Sequence, residues 1–299
     1  MQTVQKNVQA FMTHLDFPAD AQAAFLDALN LIEKDHMATV WFKTLLSHYE
    51  LHEKCSFPQM LAEITALGHE LGIHEFVSQM LLFLALAEPL RLRYAERGID
   101  EKIYWASMKD LAYKLEECRL VQGKIGSFVA SWFRGFFDMT RFALGRLQFE
   151  IITTKKDFTV EGKPLPAGSK AINMHIPRTG GRLDHEQVKE AYRLAAEWFA
   201  EDFGDQPIVF TCSSWLLFPW NIEVLSPTSN LAAFYRDFEI VESGEYENYQ
   251  ETWRLFDCLY HGDPSAMPQD SSFRRAYVAR MTEGKPTGWG RGFFRWPRA

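Results

Sequence analysis

Apolar residues recur at every third or fourth position through roughly the first 145 residues, and after "ALGR" the interval shortens to two. An interval near 3.6 places apolar side chains on one helix face, and an interval of two places them on one face of a strand. The chain therefore carries two architectures in series. The helical part shows in "AQAAFLDALNLI", "TVWFKTLLSHY", "PQMLAEITALGHEL" and "VSQMLLFLALA", separated by breaks such as "DFPAD", "CSFP", "LGIHE" and "ERGID" that hold Pro, Gly and capping acids. "IDEKIYWASMKDLAYKLEEC" opens with acids and ends at the glycine break "VQGKIGS"; "FVASWFRGFFDMTRFAL" follows as an expected last helix whose aromatics mark core.

Beyond that point "RLQFEIITT" alternates, "KDFTV" follows, the turn "EGKPLPAGS" comes next, and then the strand-like "AINMHI". A helix is expected after Asp184 and Gln187, which form a capping-box pattern, with Val188, Ala191, Tyr192, Ala195, Trp198 and Phe199 on one face. "PIVFTCSSWLLF" reads as a buried strand, "SNLAAFYRDF" as a short helix capped by Ser229 or Asn230, and "EIVES" as another strand. The expectation is an α+β protein: an all-helical N-terminal domain over 1–144 and a mixed β-sheet flanked by helices over 145–299, in the order β-β-β-α-β-α-β.

Composition excludes several classes. With 299 residues, 47% of them hydrophobic, the chain can bury a large core in one or two domains. Acidic residues (39) outnumber basic ones (32), so there is no general electrostatic footprint for nucleic acid or an anionic membrane. Any bound anion needs a local site. Cys55, Cys118, Cys212 and Cys258 are far apart, form no CxxC pair and follow no secretory signal, which points to reduced thiols in a cytoplasm. The longest apolar run, "FVSQMLLFLALAEPL", is too short to span a bilayer and reads as a buried helix. His48 and His52 lie in "HYELH", which lacks the HExxH pattern, and His69 and His74 are separated by a glycine, so no metal is expected. The tail "GKPTGWGRGFFRWPRA" is basic and aromatic enough to stack on single-stranded nucleic acid, but the overall acidity argues for a final hairpin strand and a loose end.

Chemistry concentrates in "NMHIPRTGGRLDHEQV", residues 173–188, where a strand end, a two-glycine turn and a helix start meet. First-turn amides, the helix dipole and Arg178 and Arg182 can together bind a phosphate, with Gly180 and Gly181 letting backbone approach the ligand; a plain strand-to-helix turn uses the same residues. A strand running into such a turn and helix, then a further strand and a tyrosine-bearing helix, resembles the GCN5-related N-acetyltransferase (GNAT) fold. The family's phosphate loop reads Arg/Gln-x-x-Gly-x-Gly/Ala; Arg178 and Gly181 match, and Leu183 stands where a small residue is expected. "NLAAFYRDFEIV" matches a second family segment through Asn230, Ala233, Tyr235 and Phe238, with Asp237 in place of its glycine. Through "YWASMKDL", "LGRLQFE", "INMHIP", "SWLL" and "SNL" the whole chain resembles bacterial acyltransferases with a helical N-acyltransferase N-terminal domain and a GNAT-like C-terminal domain.

That resemblance implies transfer of an acyl group from acetyl-CoA or another acyl-CoA, as co-substrate, to a small-molecule or peptide amine in a ternary complex. Such a reaction needs a neutral amine, a polarised carbonyl, a proton for the leaving thiolate and exclusion of water. The resemblance assigns cofactor binding to Met174, Ile176, Arg178, Thr179, Gly180, Gly181, Arg182 and Asn230, and the thioester carbonyl to a backbone amide near Met174 or His175. Tyr235 is then the general acid, with His175 and next Glu150 as candidate bases. Cys212, Ser213, Ser214 and Trp215 line the acyl or pantetheine channel. The helical domain would cover the acceptor side, with Trp105, Trp132 and Phe136 either lining a pocket or simply filling core. Bland readings stand beside these: a hydrogen-bonded strand histidine, Glu150 paired with Arg146, and Tyr235 as a core residue. A non-catalytic CoA sensor or scaffold, favoured by Leu183 and Asp237, is the competing class. A hydrolase using Cys212 or Ser213 is a third, although G-x-S-x-G is lacking and Cys212 lies mid-strand.

Overall fold

The structure is a computed structural model that describes residues 1–52, 55–178 and 181–296. The chain divides into two compact units, 1–142 and 143–299. The first holds α1 (Gln2–His14), α2 (Ala19–Lys34), α3 (His36–Leu51), α4 (Phe57–Glu70), α5 (Glu75–Glu96), α6 (Glu101–Gln122) and the short α7 (Arg134–Phe137). Local chemistry sets the boundaries. Asp35 caps α3 by accepting from the Ala38 N–H at 2.9 Å, Asp100 caps α6 by accepting from the Lys102 N–H at 2.8 Å, and Gly123 closes α6 at φ 64. Every residue from Met80 to Ala87 on α5 is buried, and α5 touches α1, α2, α3, α4 and α6. A helix apolar all round can only be the axis of its bundle. No helix among the described residues is long and apolar enough to cross a membrane.

One expected helix is absent. "FVASWFRGFFDMTRFAL" becomes a 3-10 turn (Ala130–Phe133), α7, and the strand β1 (Arg141–Leu144). Arg141 folds back on this segment, donating to the Trp132 carbonyl at 2.9 Å with its guanidinium 3.9 Å from the Trp132 ring centroid. A Cβ on Gly135 would come within 2.9 Å of that guanidinium, and Met139 turns the chain at φ 54. A tertiary contact thus outweighs the aromatic spacing. Of the aromatics named for this unit, Trp105 stacks on His14 at 3.6 Å, Trp132 donates to Asp110 at 2.9 Å, and Phe136 is buried.

The remaining elements are β2 (Leu147–Thr153), β3 (Phe158–Val160), β4 (Lys163–Leu165), β5 (Lys170–His175), α8 (His185–Trp198), α9 (Ala200–Phe203), β6 (Val209–Ser214), α10 (Asn221–Val224), α11 (Asn230–Arg236), β7 (Glu239–Glu245), α12 (Trp253–Phe256), α13 (Ser272–Thr282) and β8 (Gly288–Arg295). Six strands form one sheet in the order β1-β2-β5-β6-β8-β7, while β3, within "KDFTV", pairs in a separate hairpin with β4, which lies inside the segment expected as a turn. β5 and β6 are parallel; β2 with β5, β6 with β8, and β7 with β8 are antiparallel. The fold is α+β, a helical unit followed by a mixed sheet with flanking helices.

The tail forms a final strand, β8, antiparallel to β7; it stands inside the sheet between β6 and β7, a place the sequence did not predict, and the expected loose end, 297–299, lies outside the described residues. Its alternating glycines answer to close packing: a Cβ on Gly290 would lie 1.9 Å from the Leu217 carbonyl oxygen, and one on Gly292 would lie 2.5 Å from the Phe238 Cβ. Only hydrogen fits under those neighbours.

The two faces of the sheet differ. Ile172, Met174, Phe149, Phe210 and Phe294 share one face, where Tyr192 of α8 packs 5.5 Å from Phe210 and Phe238, after α11, packs 5.3 Å from Phe294. On the other face the β3–β4 hairpin covers one end, with Val160 and Leu165 packed on Ala171, Val209 and Phe293. The far end of that face carries Glu150, Asn173, His175 and Ser213.

Candidate active site

Register brings the first functional group together. β2 and β5 pair so that Glu150 faces Asn173 and Gln148 faces His175, which puts the Glu150 and His175 side chains on the same face one step apart. His175 Nε2 lies 2.7 Å from Glu150 Oε1, and Asn173 Nδ2 donates to the same oxygen at 3.2 Å. Asn173 Nδ2 also lies 3.1 Å from His175 Nε2. One ring nitrogen cannot accept from Asn173 and donate to Glu150 at once, and the shorter contact to a carboxylate takes the proton. Nε2–H is therefore the donor to Glu150. The pair is partly shielded, with side chains 21% and 18% exposed.

Beside this pair the parallel ladder ends. β5 and β6 are in register only at Ile172–Phe210 and Asn173–Thr211, although β5 continues to His175 and β6 to Ser214. From Met174 onward β5 has no partner on β6, and Cys212, Ser213 and Ser214 pair instead with β8. Ser213 is exposed, and Ser214 accepts from the Leu216 N–H at 3.2 Å, turning the chain into Trp215. Cys212 is buried, and burial alone pushes its thiol up to about 12. A thiol held protonated there is a poor nucleophile. Ile176, just past β5, is half-buried.

The strand ends lead to a cleft of about 590 Å³ lined by Arg178 after β5, Trp215 after β6, Ser229 before α11, and Arg254, Asp257 and Arg274 from the segment between β7 and β8. Arg178 Nε donates to Asp257 at 2.8 Å, and Arg274 Nη2 donates to the other carboxylate oxygen at 2.7 Å. Asp257 sits in the left-handed region at φ 63. One carboxylate therefore holds two guanidinium groups at the cleft, with Arg254 a third cation on its wall.

Thr179 and Gly180 lie outside the described residues. Gly181 adopts φ 76, which favours glycine, and a Cβ there would meet nothing within 4 Å, so the space before it is open. Arg182 is exposed, while Leu183 is buried. Two of the expected first-turn amides are already occupied: Asp184 accepts from the N–H groups of Glu186 at 3.1 Å and Gln187 at 3.2 Å. An anion at this corner has to be met by loop amides and arginines. Arg146 reaches the same loop. It donates to the carbonyls of Pro177 at 3.2 Å, Gly181 at 3.0 Å and Arg182 at 3.3 Å.

On the opposite face α11 opens at Asn230 and is capped by Ser229, which accepts from the Ala232 N–H at 3.2 Å. Tyr235 is half-buried, and burial, followed by the Glu223 charge, raises its hydroxyl above the usual phenol range. Asp237, in the place of the family glycine, binds α8 to α11: both its oxygens lie 3.0 Å from His185 Nε2, and it accepts from Tyr192 Oη at 3.1 Å. Burial and then the Asp237 charge push the Tyr192 hydroxyl well above its ordinary range. Sequence reasoning missed Asn173 as a partner of Glu150, the carbonyl contacts of Arg146, and the Arg178–Asp257–Arg274 bridge. Alternation was the available signal for Asn173; the other two depend on pairings far apart in the chain.

The sheet order, the short parallel pairing of β5 with β6 and the helical unit that precedes them define a fold of the GNAT-like class. An N-acyltransferase N-terminal domain is matched by residues 6–139 and a GNAT-like C-terminal domain by residues 142–294. The chain belongs to this two-domain N-acyltransferase family, whose chemistry is acyl transfer. No curated protein sequence matches it. Among solved structures it is similar to an acyltransferase in complex with decanoyl-CoA and teicoplanin, at 23% identity and a TM-score of 0.76, covering 98% of this chain and 88% of that one. An acyltransferase mutant in complex with octanoyl-CoA gives 22% identity, a TM-score of 0.77 and the same coverage of 98% and 88%. An acyltransferase in complex with CoA and 10C-teicoplanin gives 21% identity and a TM-score of 0.65, covering 97% of this chain and 100% of that one. At these identities the likeness is one of fold.

Proposed function

We propose that the protein transfers an acyl group from an acyl-CoA to the amine of a small molecule or peptide by direct attack. The observation that carries this reading is the end of the β5–β6 ladder at Asn173–Thr211, immediately beside the His175–Glu150 pair. Two parallel strands that part leave main-chain groups on their facing edges for a third extended segment, which suits a pantetheine arm. The solved relatives that bind decanoyl-CoA, octanoyl-CoA or CoA support the same ligand class.

The acyl-CoA brings a thioester whose carbonyl is to be attacked and whose thiolate is to leave. His175 accepts the amine proton, and Glu150 holds Nε2–H and stabilises the ring once it is charged. The new C–N bond forms as the C–S bond breaks. A backbone N–H near Met174 or His175 polarises the carbonyl. Tyr235 gives its proton to the departing sulfur; its raised pKa keeps it protonated until then. Base and acid stand on opposite faces of the sheet, which fits an amine entering on the His175 side and a thiolate leaving on the α11 side. Arg178, Arg182, Arg254 and Arg274 meet the phosphates, and Ser213, Ser214 and Trp215 border the arm.

The sensor or scaffold reading loses its main support, since Asp237 is occupied in tying α8 to α11. The hydrolase reading requires a reactive Cys212, which burial opposes. Thermal unfolding with CoA tests the proposal: at a hundred times Kd, binding stabilises the folded chain by about 2.7 kcal/mol. An unchanged melting temperature with CoA and with acyl-CoAs contradicts it.

A further inference from the structure

Resting on the acyl-CoA reading, we infer that Arg146 is the positioning residue of the diphosphate grip, acting on the backbone of the loop and not on the ligand. Arg146 sits in the turn joining β1 and β2. Its planar fork donates Nη1 to the Pro177 carbonyl at 3.2 Å, Nη2 to the Gly181 carbonyl at 3.0 Å and Nε to the Arg182 carbonyl at 3.3 Å. It therefore spans both arms of the turn between β5 and α8.

Among the described residues there is no cis peptide bond, and in a trans peptide the N–H points opposite to its carbonyl. Fixing the carbonyls of residues 177, 181 and 182 on one cation turns the N–H groups of Arg178, Arg182 and Leu183 to the other side. Among the described residues none accepts a hydrogen bond from those three groups. The open space before Gly181 lies on the same loop. A guanidinium behind the peptides also aligns their dipoles, negative ends inward and positive ends outward, as an anion requires.

This device answers the occupied helix start. Asp184 has taken the amides of Glu186 and Gln187, so the loop amides must serve in their place. Amides held in position need no reorganisation when a diphosphate arrives, and that saving appears as affinity. A lysine at 146 would keep the charge but could not reach three carbonyls in one plane.

The test compares CoA with pantetheine, which lacks the diphosphate, on wild type, Arg146→Lys and Arg146→Gln, by calorimetry or displacement. Both variants are expected to raise the CoA dissociation constant about tenfold or more while pantetheine changes by less than about twofold. Should Arg146→Gln fail to fold, Arg146→Lys carries the comparison. CoA affinity within about threefold of wild type in a folded variant overturns the inference, as does an equal loss for CoA and pantetheine, which would mark Arg146 as a purely structural residue. A wild-type chain that binds no CoA overturns instead the reading on which the inference rests.

Discussion

His175→Gln keeps a side-chain N–H for Glu150 and removes the atom that takes the amine proton. With an acceptor amine in hand, kcat falls about a hundredfold or more while CoA affinity stays near wild type, as expected for loss of a general base. Tyr235→Phe lowers kcat in the same manner. A His175→Gln enzyme with kcat within about threefold of wild type contradicts the assignment. Alternation alone put His175 and Asn173 on one side of their strand, so the candidate base was legible. The Glu150 contact was half legible, because the β2–β5 register that makes it depends on a pairing 25 residues apart. Arg146 lies beyond sequence reading altogether, since a bond from a turn arginine to three carbonyls some 31 to 36 residues away leaves no periodic trace.

At the scale of the element, β8 is the most exacting strand. Gly290→Ala drives a methyl group to within 1.9 Å of the Leu217 carbonyl oxygen, so either β8 or the turn after β6 must move. The expected loss is about 1–3 kcal/mol, read as a lower denaturant midpoint, with weakened CoA binding because the same turn carries Trp215. Unchanged stability contradicts the packing described for that face. Helices α1 to α6 and the strands around the anion loop were legible, since each buries a face whose period lies within a dozen residues. The failures share one cause. Arg141 pressed on Gly135 breaks an apparent helix, and β8 takes its place between β6 and β7, through contacts that no window of neighbouring residues contains. The glycines of the tail, read as a final hairpin strand with a loose end, are the imprint of an interior strand under close cover.

Across the whole molecule, burial raises the hydroxyls of Tyr49, Tyr94, Tyr104, Tyr192 and Tyr277 above the phenol range and the Cys212 thiol to about 12. Unfolding returns these groups to ordinary values near 10 for Tyr and about 8.5 for Cys. Above those values the unfolded chain has released protons that the folded chain still holds, so stability falls as pH rises. The stabilisation is whole below about pH 8.5 and is lost progressively toward pH 11, measured as a declining melting temperature. A melting temperature that stays level across that range contradicts the buried, protonated state of these groups.

The central claim is that β5 and β6 part to admit the acyl-bearing arm of CoA beside His175. A crystal structure of the chain with CoA tests it most directly. The account predicts the arm in extended conformation between Met174 and the Cys212–Ser214 edge, its sulfur between the His175 and Tyr235 faces, and its diphosphate on the amides of Arg182 and Leu183. CoA bound elsewhere, or β5 and β6 paired through to His175 with the ligand present, would contradict it.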